Sequence, residues 1–277
     1  MNRIDSLFQK LRGEGRRALM PFITAGDPDL GTTAALIAEM AARGADMVEV
    51  GVPYSDPIAD GPVISASYHR ALTRGVRLDG IFKMLGAVRA EAGDGPVAAA
   101  PLVTMVSYAI IHRTGVSKYL GEAVAAGVDG LIVPDLPVEE SEGLLRQVTE
   151  RGLKLIQLVT PTTPRERALQ IARTTTGFLY YVSIAGITGE RTAIPADLAE
   201  NVGWLRSQTE LPICIGFGIS TAEHIRALAP VADGLIVGSA LVRMLVDADK
   251  RPREETVRAI GAYVGELADA IRSVRAG

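Results

Sequence analysis

The chain has 277 residues, of which 48% are hydrophobic, 5% aromatic and 22% charged. Apolar content carried by Ala, Val, Ile and Leu suits strands covered on both faces by helices, and the length is close to the ~250 residues of an α/β barrel, so one domain over 1–277 is expected. A formal charge of -3 supplies no basic stripe, which sets aside nucleic acid and anionic membrane surfaces as partners.

The single cysteine, Cys214, lies in the apolar run LPICIGF. It reads as a buried strand residue in a cytoplasmic protein without a disulfide framework. The N-terminus places Ile4, Leu7, Phe8 and Leu11 at helical spacing without the continuous apolar core of a signal peptide, which predicts a short amphipathic helix. Further along, short apolar runs alternate with longer helical patterns. Strands are expected at 18–24, 46–50, 97–105, 130–134, 153–159, 178–183, 211–217 and 233–239. Helices are expected at 30–43, 78–92, 116–126, 139–151, 165–173, 195–206, 221–227 and 254–274, with an extra helix at 64–75 inside the second connection. Ser220, with Glu223 three residues on, is the expected cap of the helix at 221. Eight βα units predict a closed (β/α)8 TIM barrel. A doubly wound open sheet is the alternative, and it lacks its dinucleotide fingerprint, since Gly216-Phe217-Gly218 comes late and has no third glycine.

In such a barrel the chemistry sits where strands end and βα loops begin. Glu49 alternates with Val48 and Val50, so it faces opposite to them, toward the barrel mouth. Burial there would raise its pKa toward neutrality and fit it to donate and accept protons; pairing with a lysine or arginine from a neighbouring strand end is the competing reading. Asp56 and Asp60 follow in a loop stiffened by Pro53, Pro57 and Pro62, either as turn residues or as carboxylates held in a fixed place. Gly216-Phe217-Gly218 and Gly238-Ser239 end the last two strands, where backbone N–H groups and a helix start favour a phosphate, or simply make tight turns. The stretch 183–191, with two glycines, fits a mobile lid or an ordinary surface loop. Three histidines, His69, His112 and His224, show no metal-ligand spacing.

Six segments in order, PFITAGDPD (21–29), VEVGVPYSDPIADGPVI (48–64), GLIVPDLPVEES (130–141), YYVSIAGITGER (180–191), CIGFGIS (214–220) and GLIVGSALV (234–242), resemble the tryptophan synthase alpha subunit family over nearly the whole chain. The resemblance implies a ribulose-phosphate-binding type of barrel with an added N-terminal helix. It implies retro-aldol cleavage of indole-3-glycerol phosphate to indole and glyceraldehyde 3-phosphate, with no cofactor in this chain. Glu49 would be the acid/base at indole C3 and the glycerol hydroxyl, and Asp60 would accept from the indole N–H. Phe22, Tyr180 and Phe217 would line the indole pocket, and Gly189, Gly218, Gly238 and Ser239 would hold the phosphate, with Thr188 closing against Asp60. The implied partner is a pyridoxal-phosphate-dependent beta subunit in an α2β2 assembly, contacted through Pro53, Asp56 and Asp135. The chain departs from the family pattern at Tyr108-Ala109, at Ile184-Ala185 and across Ser65-Ala66-Ser67-Tyr68-His69, and no family role is carried over to this last stretch. Without the resemblance, a non-catalytic phosphate-sensing subunit and another phosphate-binding barrel lyase or isomerase also fit the glycine sites.

Overall fold

The computed structural model describes residues 1–57, 60–183, 196–216 and 218–274. Nine parallel strand segments form the sheet: β1 (Ala18–Thr24), β2 (Val48–Gly51), β3 (Leu102–Met105), β4 (Gly130–Ile132), β5 (Lys154–Ile156), β6 (Leu158–Val159), β7 (Leu179–Val182), β8 (Ile213–Gly216) and β9 (Gly234–Val237). Their order is β5-β4-β3-β2-β1-β9-β8-β7-β6. The two ends of that order are one run of chain, because only Gln157 separates β5 from β6. The run pairs with β4 through its first half and with β7 through its second, which closes the ring as the expected eight-stranded barrel.

Strand alternation sorts the side chains. One set, including Met20, Phe22, Val103, Met105, Ile132, Ile156, Tyr180, Cys214 and Ile236, fills the barrel interior together with Ile4, Phe8 and Leu11 of the helix Arg3–Gly13, which plugs the N-terminal end. The other set, including Leu19, Ile23, Val48, Val50, Leu131, Ile215 and Leu235, packs outward on the helices. Glu49 stands in register with Phe22 and Val103, both of the inner set, so it points inward.

At the N-terminal end each of three strands is preceded by an aspartate that accepts a backbone N–H from the neighbouring strand. Asp46 accepts from Leu19, Asp129 from Leu102 and Asp233 from Ile213, each at 2.9 Å. Asp129 also receives Arg89 at 2.7 Å and Arg3 at 2.9 Å. At the opposite end the helix Pro62–Thr73, expected at 64–75, is clamped to the end of β1. Ser67 donates to the Ile64 carbonyl and accepts from Thr24 at 2.6 Å, and Arg70 makes a forked pair with the fully buried Asp27.

Four local expectations need correction. The run at 97–105 is strand only from Leu102, because Pro96 starts a short helix, Pro96–Ala99, ahead of it. The helix after β8 is capped by Thr221, whose side chain accepts from the His224 N–H, and not by Ser220, whose carbonyl instead accepts from Tyr263. The run at 233–239 gives up Ser239 to a new helix, Ser239–Met244, and a further helix, Tyr108–Thr114, follows β3. The Asp129 cluster yields a stability prediction. Asp129→Ala strands Arg89 in a largely buried site and removes the acceptor for Leu102, so it should destabilise the fold by about 3 kcal/mol. Urea unfolding checks this, and a loss below about 1 kcal/mol would show that the cluster is dispensable.

Candidate active site

The C-terminal ends of the strands open into a cavity of about 680 Å³, its open mouth included. Five strands and three loops line it: Phe22 from β1, Met105 from β3, Leu158 from β6, Tyr180 and Val182 from β7 and Ile236 from β9, with Asp60, Pro134 and Gly218 from loops. Gly238 and Ser239, at the start of the helix Ser239–Met244, complete one wall, and Gly61 and Ile64, at the start of the helix Pro62–Thr73, another. Of the residues singled out from the sequence, the fold thus gathers Phe22, Asp60, Tyr180, Gly218, Gly238 and Ser239 around one space. Thr188, Gly189, Phe217 and most of the expected lid lie outside the described residues.

Glu49 is fully buried, and neither carboxylate oxygen has a hydrogen-bond partner among the described residues. This disposes of the reading in which a strand-end lysine or arginine neutralises it. With burial as the sole cause, its pKa is pushed up to about 8. The carboxyl is not itself in the cavity lining; its register neighbour Phe22 is. Reaching a molecule held in the cavity would take a rotation of its side chain toward the mouth.

Asp60 stands at the cavity wall in a different environment. Burial, and then the nearby Asp135 carboxylate, raise its pKa to about 6 against the opposing effect of the Tyr54 hydroxyl, which donates to Oδ2 at 3.2 Å. The two carboxyls are therefore separated in acidity by their surroundings, the arrangement that divides acid and base roles. No Lys, Arg or His lines the cavity among the described residues. A bound anion would instead meet backbone N–H groups. Gly218 adopts φ 77°, a left-handed conformation that suits glycine. At Gly238 an added Cβ would come no nearer than 3.5 Å to Phe22, so packing does not demand the glycine, and an open backbone at a helix start is what an anion needs.

The remaining sequence candidates divide. Pro53 is buried, and Asp56 is exposed with Ser55 bonded to its carboxylate at 2.6 Å. Asp135 braces its own chain, accepting from the Ser107 hydroxyl at 2.5 Å and the Tyr108 N–H at 2.7 Å, which ties the loop after β4 to the helix after β3. Two residues missed by sequence reasoning are Tyr54 and Tyr68. The signals were present: Tyr54 sits between Pro53 and Pro57, and Tyr68 lies four residues after Ile64 on the inward face of its helix. Cys214 is buried in β8 as expected, with burial raising its thiol pKa. Among the described residues no group of three or more His, Cys, Asp or Glu is placed to hold a metal ion, and no helix is long and apolar enough to cross a membrane.

The sequence profile described as tryptophan synthase alpha chain matches residues 8–272. A tryptophan synthase alpha chain of Rhodopirellula baltica is 56% identical over 275 residues, covering 99% of this chain and 98% of the relative. One from a Thermoanaerobacter species is 43% identical over 271 residues, covering 98% and 100%. Among solved structures, the tryptophan synthase alpha subunit of Legionella pneumophila superposes with a TM-score of 0.89 at 35% identity, covering 99% of this chain and all of that one. A tryptophan synthase chain of Mycobacterium tuberculosis gives 0.85 at 31% identity, covering 98% and 99%. Profile, identity and barrel agree over essentially the whole length, and the chain belongs to the tryptophan synthase alpha chain family, lyases that cleave indole-3-glycerol phosphate.

Proposed function

We propose that this chain carries out its family's cleavage with Glu49 as the proton-transferring group and Asp60 as the electrostatic partner of the indole nitrogen. The observation that supports these roles is the contrast between the two carboxyls: one buried and proton-bearing below about pH 8, one at the wall and ionised above about pH 6. Glu49 gives its proton to indole C3, which leaves the ring as an iminium. Asp60, accepting from the ring N–H, stabilises the positive charge that appears there. The Glu49 carboxylate then takes the proton of the adjoining glycerol hydroxyl. As the aldehyde forms, the electrons of the C3–glycerol bond return to the ring, releasing indole and glyceraldehyde 3-phosphate. Glu49 ends with the proton it began with.

Phe22 and Tyr180 flank the ring in this reading, joined by Phe217. The phosphate rests on backbone N–H groups of Gly218, Gly238 and Ser239; the family roles implied for Thr188 and Gly189 fall on residues outside the described ones. The chain itself needs no cofactor. Pyridoxal phosphate belongs to a beta partner that consumes the indole in an α2β2 assembly; the exposed Asp56 and the loop braced by Asp135 face that partner, while the buried Pro53 would act there by shaping the loop that presents Asp56.

Glu49→Gln should lower indole release by at least about a thousandfold. It should also leave the protein at least as stable as wild type, since a buried unpaired carboxyl is replaced by a neutral isostere. Full turnover in that variant would sink the assignment, and absence of indole release in the wild type, with or without the beta chain, would favour a non-catalytic binding subunit. The pH dependence has a definite sign. Below about 8 Glu49 keeps the proton it must deliver, so kcat/KM should fall as pH rises through about 8. Asp60 must be anionic, so activity should also fall as pH drops through about 6. The substrate phosphate ionises in the same lower region, with a pKa of about 6, which makes the upper limb the diagnostic one. A profile flat through pH 8 would contradict the role of Glu49. For the partner, Asp56→Ala should weaken association with the cognate beta chain about tenfold by titration calorimetry; unchanged affinity would remove Asp56 from the interface.

A further inference from the structure

Native interiors leave few buried polar atoms unpaired. Among the described residues five buried side-chain polar atoms lack a hydrogen-bond partner, and three of them are gathered at one place: both oxygens of Glu49 and the hydroxyl of Tyr68. Tyr68 is 0% exposed. Its helix is held on either side of it, by Thr24 on Ser67 and by Asp27 on Arg70, so the ring has little freedom to leave. The hydroxyl occupies the space that a side chain at Gly51 would take: a Cβ there would fall 2.8 Å from it and 2.5 Å from the Phe22 ring. Gly51 and Glu49 are two residues apart on β2 and face the same way, so a Gly51 Cβ would stand about 6.6 Å further toward the mouth than the Glu49 Cβ, with the Tyr68 hydroxyl beside it. Beyond that Glu49 Cβ, the Cγ methylene and the carboxyl group of the glutamate extend across part of that gap. The rotation that carries the Glu49 carboxyl toward the cavity therefore also carries it toward Tyr68.

The titratable groups facing this gap are Tyr54 and Asp60 from the loop, Tyr180 from β7 and Cys214 from β8. Tyr54 already donates to Asp60, and its ring lies 5.4 Å from that of Tyr68. Two tyrosines thus stand beside two carboxyls, one pairing made at rest and the other still open.

We infer that Tyr68 is a positioning residue for the cleavage: its phenol donates a hydrogen bond to the Glu49 carboxylate during the interval between proton delivery to C3 and proton recovery from the glycerol hydroxyl. This rests on the acid/base role of Glu49. Tyr68 keeps its own proton throughout, so the proton count of the reaction is unchanged. The interaction exists only while Glu49 is charged and lowers the barrier without tightening the ground state.

Tyr68→Phe removes the hydroxyl and keeps the ring. The expected result is a kcat lowered about tenfold with KM changed less than about twofold, as for loss of one hydrogen bond to a charged group. The upper limb of kcat/KM should move upward by about half a pH unit, because losing a donor to the carboxylate favours its neutral form. The urea midpoint should stay equal or rise, since an unpaired buried hydroxyl has been deleted. Wild-type kcat with an unmoved limb overturns the inference. So does slower turnover accompanied by lost stability and an unmoved limb, which is the mark of a merely structural hydroxyl. A shift of the limb in Tyr180→Phe and not in Tyr68→Phe assigns the donor to the other tyrosine and overturns it as well. Glu49→Gln in the same series separates the two levels: retained turnover there overturns the role of Glu49 itself, whereas lost turnover there with a wild-type Tyr68→Phe overturns only the role of Tyr68.

Discussion

The site depends on one unfavourable arrangement, a carboxyl buried in an apolar barrel with nothing to pair it. A native pKa near 8 against an ordinary value of 4.5 means that folding becomes less favourable as pH rises between those values. The deficit is roughly 3 kcal/mol near neutrality. That is a large fraction of the stability of a typical domain. In the proposed mechanism the return is functional: a neutral acid at physiological pH, able to release its proton to a carbon. A glutamate in water at that pH has already lost it.

The same residue class does opposite work at the two ends of the barrel. At the N-terminal end Asp46, Asp129 and Asp233 accept strand N–H groups, and Asp129 receives two guanidinium groups, so carboxylates there fasten neighbouring strands. Near the mouth Asp27 is also fully paired, through Arg70, and fixes the helix that carries Tyr68. Among the described buried carboxyls only Glu49 is left without a donor, and Asp60 at the wall has a single phenol. The paired carboxylates hold the frame rigid enough for the unpaired one to stay in place, and the barrel's polarity from fastened base to reactive mouth follows from where donors are supplied and where they are withheld.

Much of this was legible in the sequence because it rests on strand parity. The alternation Val48-Glu49-Val50 is enough to turn Glu49 inward, and every strand run located the mouth at its C-terminal end. The misreadings have local causes. The apolar run at 97–105 looks continuous in hydrophobicity, yet Pro96 forces a helical start that composition does not reveal. Ser220 and Thr221 are equivalent caps on paper; the backbone turn selects the second. The two bonds from Ser107 and Tyr108 to Asp135 belong to a fold contact between residues distant in sequence, which no local pattern reveals. Tyr68 shows the limit most clearly. Its helical spacing marks it as core, which it is, but its relation to Glu49 passes through the absent side chain of Gly51 and exists only once β2 and the helix Pro62–Thr73 are packed together.

The absence of cationic side chains from the described cavity lining follows from the same constraint. A lysine or arginine there would bind a phosphate strongly as a point charge or a fork, but in a low-dielectric cavity it would also stabilise the Glu49 carboxylate and pull its pKa back down. Backbone N–H groups at Gly218 and at the start of the helix Ser239–Met244 are directional dipoles whose field falls off more steeply with distance than that of a full charge. In the proposed site they would hold an anion without the full positive charge that draws the proton from Glu49. The anion itself acts in the same sense, since negative charge near Glu49 disfavours its ionisation further. The proposed glycine-built anion site and the buried unpaired glutamate are therefore electrostatically compatible, and in that proposal a basic residue introduced at the wall would trade proton delivery for phosphate affinity.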